Sequence, residues 1–94
     1  MKISELKSGV RKVDIEVTVT EMDEPREINT KFGRTMVANA VIEDDSGNIK
    51  MVLWGDETEK CHQGDRIRIE NGFVREWNGE LQVSIGKYGK MSVL

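Results

Sequence analysis

The chain has 94 residues, 33% of them charged and 37% hydrophobic, with one cysteine and a formal net charge of −3. That length suits one domain over 1–94 with one modest core. No apolar run approaches the roughly 20 residues of a membrane span, the first ten residues lack the apolar stretch of a secretory signal, and a lone cysteine cannot close an internal disulfide, so a cytoplasmic location is expected.

In chain order, "ISELKSG" at the front places Ile3 and Leu6 at helical spacing, which predicts a turn lying over one end of the core. "VDIEVTVTEM" (13–22) alternates with period two: Val13, Ile15, Val17 and Val19 point one way, and Asp14, Glu16, Thr18 and Thr20 the other. "DEPREINTKFGR" (23–34) holds the only proline and mixed charge, and reads as a long connection. "TMVANAVIED" (35–44) is a second strand, its small Ala38 and Ala40 suited to tight curvature. "DDSG" (44–47) supplies turn chemistry, and "NIKMVLW" (48–54) is a third strand.

"GDETEKCHQGD" (55–65) reads as one short helix, with Asp56 and Glu59 spaced as a capping box and Gly64 placed to stop it. "DRIRIENG" (65–72) is a fourth strand with Ile67 and Ile69 inward, and "ELQVSIG" (80–86) is a fifth. The order is three strands, a short helix, then two strands. Five curved antiparallel strands with a helix between the third and fourth describe a mainly all-β, five-stranded OB-fold barrel.

The last hairpin, "FVREWNGELQV" (73–83), carries two of the five aromatic residues. Asn78 and Gly79 are a type I′ turn pair, since both central positions of that turn need φ > 0. The turn then sets Trp77 opposite Glu80, Arg75 opposite Gln82 and Phe73 opposite Ser84. One face holds Val74, Leu81, Val83 and Ile85, and is the core face. The other holds Phe73, Arg75, Trp77, Glu80, Gln82 and Ser84, so the two aromatics stand among polar residues. On the third strand, Ile49, Met51 and Leu53 form one set, and Lys50, Val52 and Trp54 the other.

An aromatic ring held on a polar face beside a cation suits single-stranded nucleic acid: the base stacks and the cation meets phosphate. Structural alternatives stand beside this at two positions. Trp54 could instead pack under the short helix, and a bulge after Gly72 would turn Phe73 inward.

Charge alone gives no such direction. Acids cluster at 21–27, 43–45 and 56–59, while bases are spread, and as charges they read as ordinary solvated residues. The sum of −3 argues against a nucleic-acid partner, though an acidic chain can still carry one basic face. Cys61 and His62 have no companion Cys or His, so they make neither a zinc site nor an oriented nucleophilic pair. The acid clusters fall in a turn and at a helix start, where capping explains them. No catalytic grouping, cofactor loop or metal motif is present, and the chain does not read as an enzyme.

At "INTKFGRTMVANAVIEDDSGNIKMVLWGD" (28–56) and "QGDRIRIENGFVREWNGELQVSIG" (63–86), the sequence resembles the archaeal single-stranded DNA-binding proteins and the OB domains of replication protein A. "ISELKSGVRKVDIEVTV" (3–19) fits the opening of the same pattern.

The resemblance implies single-stranded DNA binding in replication, repair or recombination, with three aromatics stacking on successive bases. They fall on Trp54, Phe73 and Trp77, and the family's loop cations on Lys31 and Arg34. From face and charge, Lys50, Arg75 and Lys87 join the phosphate contacts, and Phe32 and Tyr88 are further stacking candidates. A monomer is expected, with other OB domains or replication and repair proteins as partners. RNA binding, or service as a protein-assembly module, are the alternative roles, and the resemblance leaves open whether 1–94 is a whole protein or one domain of a longer chain.

Overall fold

A computed structural model describes residues 1–86 and 88–94. Its strands are β1 (Arg11–Met22), β2 (Arg26–Thr30), β3 (Gly33–Asp44), β4 (Gly47–Trp54), β5 (Arg66–Trp77), β6 (Glu80–Ser84) and β7 (Lys90–Val93). One helical turn, α1 (Glu57–Lys60), links β4 to β5, and a 3₁₀ turn covers Ile3–Glu5. The sheet runs β1-β3-β4-β6-β5, and a further β1–β5 pairing closes it into a five-strand barrel. These are the five strands expected from the sequence, with one departure: β4 and β6 pair in parallel.

Closure depends on β1 serving two neighbours. Residues 11–18 pair with β5, and 18–22 with β3. The twelve-residue strand can do this because it is irregular, with register shifts between Arg11 and Val13, Val13 and Ile15, and Val19 and Glu21. Such bulges sharpen twist and bend a strand round a barrel corner. The alternating set Val13, Ile15, Val17 and Val19 is buried, as its period predicts, and meets Ile42, Met51, Leu53, Ile67, Ile69 and Val83 in one core. Ile3 and Leu6 are buried over that core, as their spacing predicts.

Two strands lie outside the expectation. The connection at 23–34 contains β2, which pairs with β3 in register from Arg26–Val37 to Thr30–Gly33. Pro25 sits just before the strand, where its missing N–H costs no ladder bond. The hairpin turns at Lys31 and Phe32. The Thr30 hydroxyl donates to the Gly33 carbonyl at 2.8 Å and accepts from the Phe32 N–H at 3.1 Å, and Gly33 adopts φ +114°. The second, β7, pairs with residues 67–70 of β5.

The helix is shorter than expected and its capping box does not form. Asp56 makes no side-chain cap bond. Instead Glu57 Oε1 accepts from the Trp54 N–H at 3.0 Å. Chain reversal after the helix uses Gly64, whose N–H donates to the Val19 carbonyl at 2.7 Å. Cys61 is fully buried, and burial pushes its thiol up, with help from Asp65 and Glu57. His62 beside it is exposed.

Asp44 ties the 3₁₀ turn to the β3–β4 turn. Its Oδ1 accepts from the Ser46 N–H at 2.7 Å and the Ser46 hydroxyl at 2.5 Å, and its Oδ2 accepts from the Ile3 N–H at 2.8 Å. Burial alone would raise this carboxyl, but those bonds outweigh it and hold it below its ordinary value of 3.8. A depressed carboxylate contributes stability above the unfolded-state value and loses it as pH falls through the folded one. Asp44→Asn should therefore lower stability at pH 7, by no more than about 1 kcal/mol once solvent screening of this half-exposed carboxylate is allowed for. In urea titrations across pH, the gap from the parent chain should close below about pH 4. A gap independent of pH would refute the charge-based account.

Candidate nucleic-acid interface

The last hairpin forms as its turn pair predicts. Asn78 and Gly79 have φ of +52° and +79°. The observed partners are Phe73–Ser84, Val74–Val83, Arg75–Gln82, Glu76–Leu81 and Trp77–Glu80. Val74, Val83 and Ile85 are buried, and Trp77 is 61% exposed on the outer face.

The register extends that outer face across four strands. On β3 and β4, Val37 lies opposite Trp54, Asn39 opposite Val52, and Val41 opposite Lys50. Across the parallel junction Lys50 is level with Gln82 and Val52 with Ser84, and these in turn pair with Arg75 and Phe73. Trp54 and Trp77 together line one groove, with Arg75, Gln82, Val52 and Asn39 on its floor and Arg26 and Ile28 of β2 at its side.

Trp54 is 42% exposed and does not pack away under α1. Three features hold it there: the ladder to Val37, the bond to Glu57, and a reversal at Gly55, whose N–H donates to the Met36 carbonyl at 2.8 Å. The Glu57 carboxyl is raised, chiefly by burial, against the pull of the Trp54 N–H and of Lys60.

Phe73 shares the outer face but is half-buried, and it lines an adjoining concavity and not the tryptophan groove. A bulge does occur near it, but before Gly72 and not after. Register slips between the Ile15–Ile69 and Val13–Gly72 pairs, and Asn71 takes φ +55°. That extra residue reverses the alternation: Ile69 and Val74 both point inward, and Phe73 is carried outward.

The expected cations fall into three groups. Arg75 lines the tryptophan groove and makes no salt bridge with a described residue. Lys50 is paired with Glu80 at 2.5 Å and Arg34 with Glu27 at 3.4 Å, both at exposed positions. Exposed pairs contribute at most about 1 kcal/mol, so a phosphate can compete for either cation. Lys31 sits over the Phe32 ring, 5.1 Å from its centroid, at the β2–β3 tip. Phe32 is 89% and Tyr88 79% exposed. Neither Lys31, Phe32 nor Arg34 lines the tryptophan groove, and Lys87 lies outside the described residues.

Sequence reasoning missed Arg26, which the structure puts beside the tryptophans. The signal was available in "REINT", an alternating run ending at a Lys-Phe-Gly turn, but the acids around it masked the strand. Among the described residues no three His, Cys, Asp or Glu side chains gather as metal donors, and no helix is long and apolar enough to cross a membrane.

A closed five-strand barrel with an open, ring-lined groove across its strands is an OB-fold with a candidate ligand face. Sequence comparison gives the same class: the family described as the OB-fold nucleic acid binding domain matches residues 13–90, and the chain belongs to that family. It is 31% identical over 91 residues to the single-stranded DNA binding protein Ssb of Saccharolobus solfataricus, covering 97% of this chain and 62% of that protein. It is also 31% identical over 91 residues to replication factor A of Methanothermobacter thermautotrophicus, covering 93% of this chain and 12% of that protein. Among solved structures, a replication factor A related protein from Methanobacterium thermoautotrophicum superposes with a TM-score of 0.81 at 28% identity, covering all of this chain and 89% of that one. The chain thus spans about three-fifths of one curated relative and an eighth of the other.

Proposed function

We propose that this chain binds single-stranded DNA, largely without sequence preference, as one OB unit over residues 1–94. The observation that carries the reading is the pair of exposed tryptophans lining one groove with Arg75 on its floor and Arg26 at its side. A Trp at 61% exposure costs apolar surface unless a ligand covers it, and a base offers the flat apolar face that fits. Trp54 and Trp77 stack on bases, and Phe73 takes a neighbouring one. Arg75, Lys50, Lys31, Arg34 and Lys87 meet phosphates, joined by Arg26. The relatives' names, single-stranded DNA binding protein and replication factor A, support the same reading.

The role is one of binding and not of catalysis. It belongs to replication, repair or recombination in the cytoplasm, by a monomer that works alongside other OB domains or repair proteins.

The test is a titration of tryptophan fluorescence with single-stranded DNA, the matching duplex and RNA. Strong quenching by the single strand and weak quenching by the duplex are expected. About six phosphate contacts, at about 0.7 each, would give an affinity falling with a log–log salt slope near −4. Equal quenching by RNA would extend the ligand class beyond DNA, and no quenching by any nucleic acid would favour a protein-assembly module.

A further inference from the structure

The outward strip on β5 does not end at Phe73. Phe73 lies opposite Arg11 on β1, and the concavity it lines also takes in Lys12, Gly86 and Tyr88. No carboxylate lines that concavity among the described residues. The opposite end of the groove differs. Beyond Trp77 the surface is lined by Glu21, Asp23 and Glu80 as well as Arg26 and Lys50, and Glu80 already pairs with Lys50. A phosphodiester backbone leaving past Trp77 meets acids, whereas one leaving over Phe73 meets two cations.

The backbone builds this end deliberately. Two offset bulges face each other across β1 and β5. One falls between Arg11 and Val13, with Lys12 at φ +57°, and the other precedes Gly72, with Asn71 at φ +55°. Non-glycine residues are uncommon in this region, and bulges re-aim side chains. Consecutive Arg11 and Lys12 are consequently both exposed and both line the same hollow, where regular alternation would part them.

The second bulge is pinned. The Asn71 N–H donates to Asp14 Oδ1 at 2.9 Å, and its side-chain amide donates to the Tyr88 carbonyl at 3.3 Å. Gly86, at φ +72°, lies flush with the Phe73 ring: a Cβ there would stand 2.7 Å from Cε1. The absent side chain leaves the way past the ring open.

We propose that the bound strand continues over Phe73 into this hollow, where Arg11 and Lys12 hold phosphates and Tyr88 offers a further ring. The proposal rests on the single-strand reading above and deepens it. It assigns the end of the groove at which the footprint extends beyond the bases on Trp54, Trp77 and Phe73.

The test compares the chain with its Arg11→Gln/Lys12→Asn variant, asparagine being tolerant of left-handed backbone. Both are titrated with oligothymidylates of roughly 3 to 12 nucleotides at several salt concentrations. The shortest oligomers should bind the two proteins alike. Affinity of the parent should then rise with length, and the variant should lose most of that rise. Its salt slope on long oligomers should be shallower by about 1.4, from two contacts at 0.7 each.

Tyr88→Ala probes the same hollow from a segment outside the β1 bulge, and should blunt the length dependence while keeping the slope. Length profiles matching the parent, or a weakening by one factor at every length, would overturn the proposal. Failure of the parent to bind any oligomer would instead overturn the single-strand reading itself.

Discussion

Replacing Trp77 with alanine is expected to weaken single-stranded DNA binding by roughly five- to 150-fold, the equivalent of about 1–3 kcal/mol for one stacked base. Trp54→Ala should cost a similar factor. Neither should cost much stability. Trp77 stands at the hairpin tip with most of its surface in solvent, and Trp54 at the end of β4 is nearly half exposed. Their removal should therefore shift the unfolding free energy by about 1 kcal/mol or less. The two rings sit on different strands of one groove, so the losses should add if each carries its own base. A double variant no weaker than either weakened single would mean that the two rings act as one unit on a shared base. Isothermal titration at fixed salt reads these differences, since the affinity itself is salt-dependent.

One residue away, Leu53→Ala should have the opposite profile. Leu53 is fully buried and points from β4 into the core shared with Met51, Ile42 and Val83. Truncating it removes buried apolar surface and leaves a cavity, at a cost of about 2–5 kcal/mol. That is a large share of the 5–15 kcal/mol typical of a whole domain, so chemical denaturation should show a markedly lower midpoint. Under conditions where the variant remains folded, its affinity for single-stranded DNA should stay near that of the parent. Leu53 and Trp54 thus separate the two halves of the strand's work by pleat alone. A Leu53→Ala protein as stable as the parent would show that this side of the barrel is not tightly packed.

That pleat is also why so much of the site could be read from sequence. Wherever one turn fixes the pairing, period two dictates the rest, and Asn78-Gly79 fixed the faces of Arg75, Trp77 and Val74 with no further information. The same logic separated Lys50, Val52 and Trp54 from Met51 and Leu53.

What it could not supply is any count-breaking residue. The bulge at Asn71 shifts the frame between Ile69 and Val74, and only the pairing with β1 reveals where it falls. A second blind spot was β2. An edge strand with one half-buried side chain, Ile28, has too little apolar alternation to stand out from a polar loop. Its Arg26 therefore reaches the groove unannounced. The third was pairing among charges: that Arg34 meets Glu27 and Lys50 meets Glu80 depends on cross-strand neighbours. The capping box at Asp56 failed because Asp56 itself takes helical backbone angles, and the Thr58 and Glu59 N–H groups donate to the carbonyls of Gly55 and Asp56 instead.

The central claim is that Trp54 and Trp77 stack on the bases of one bound strand. The chain has two tryptophans, so a proton–nitrogen correlation spectrum should contain two indole Nε1–H signals, one for each ring. Titration with a short oligothymidylate should move both, and in step, while the matching duplex at equal concentration moves neither. Two indole signals that stay in place as the single strand saturates the protein would contradict the account.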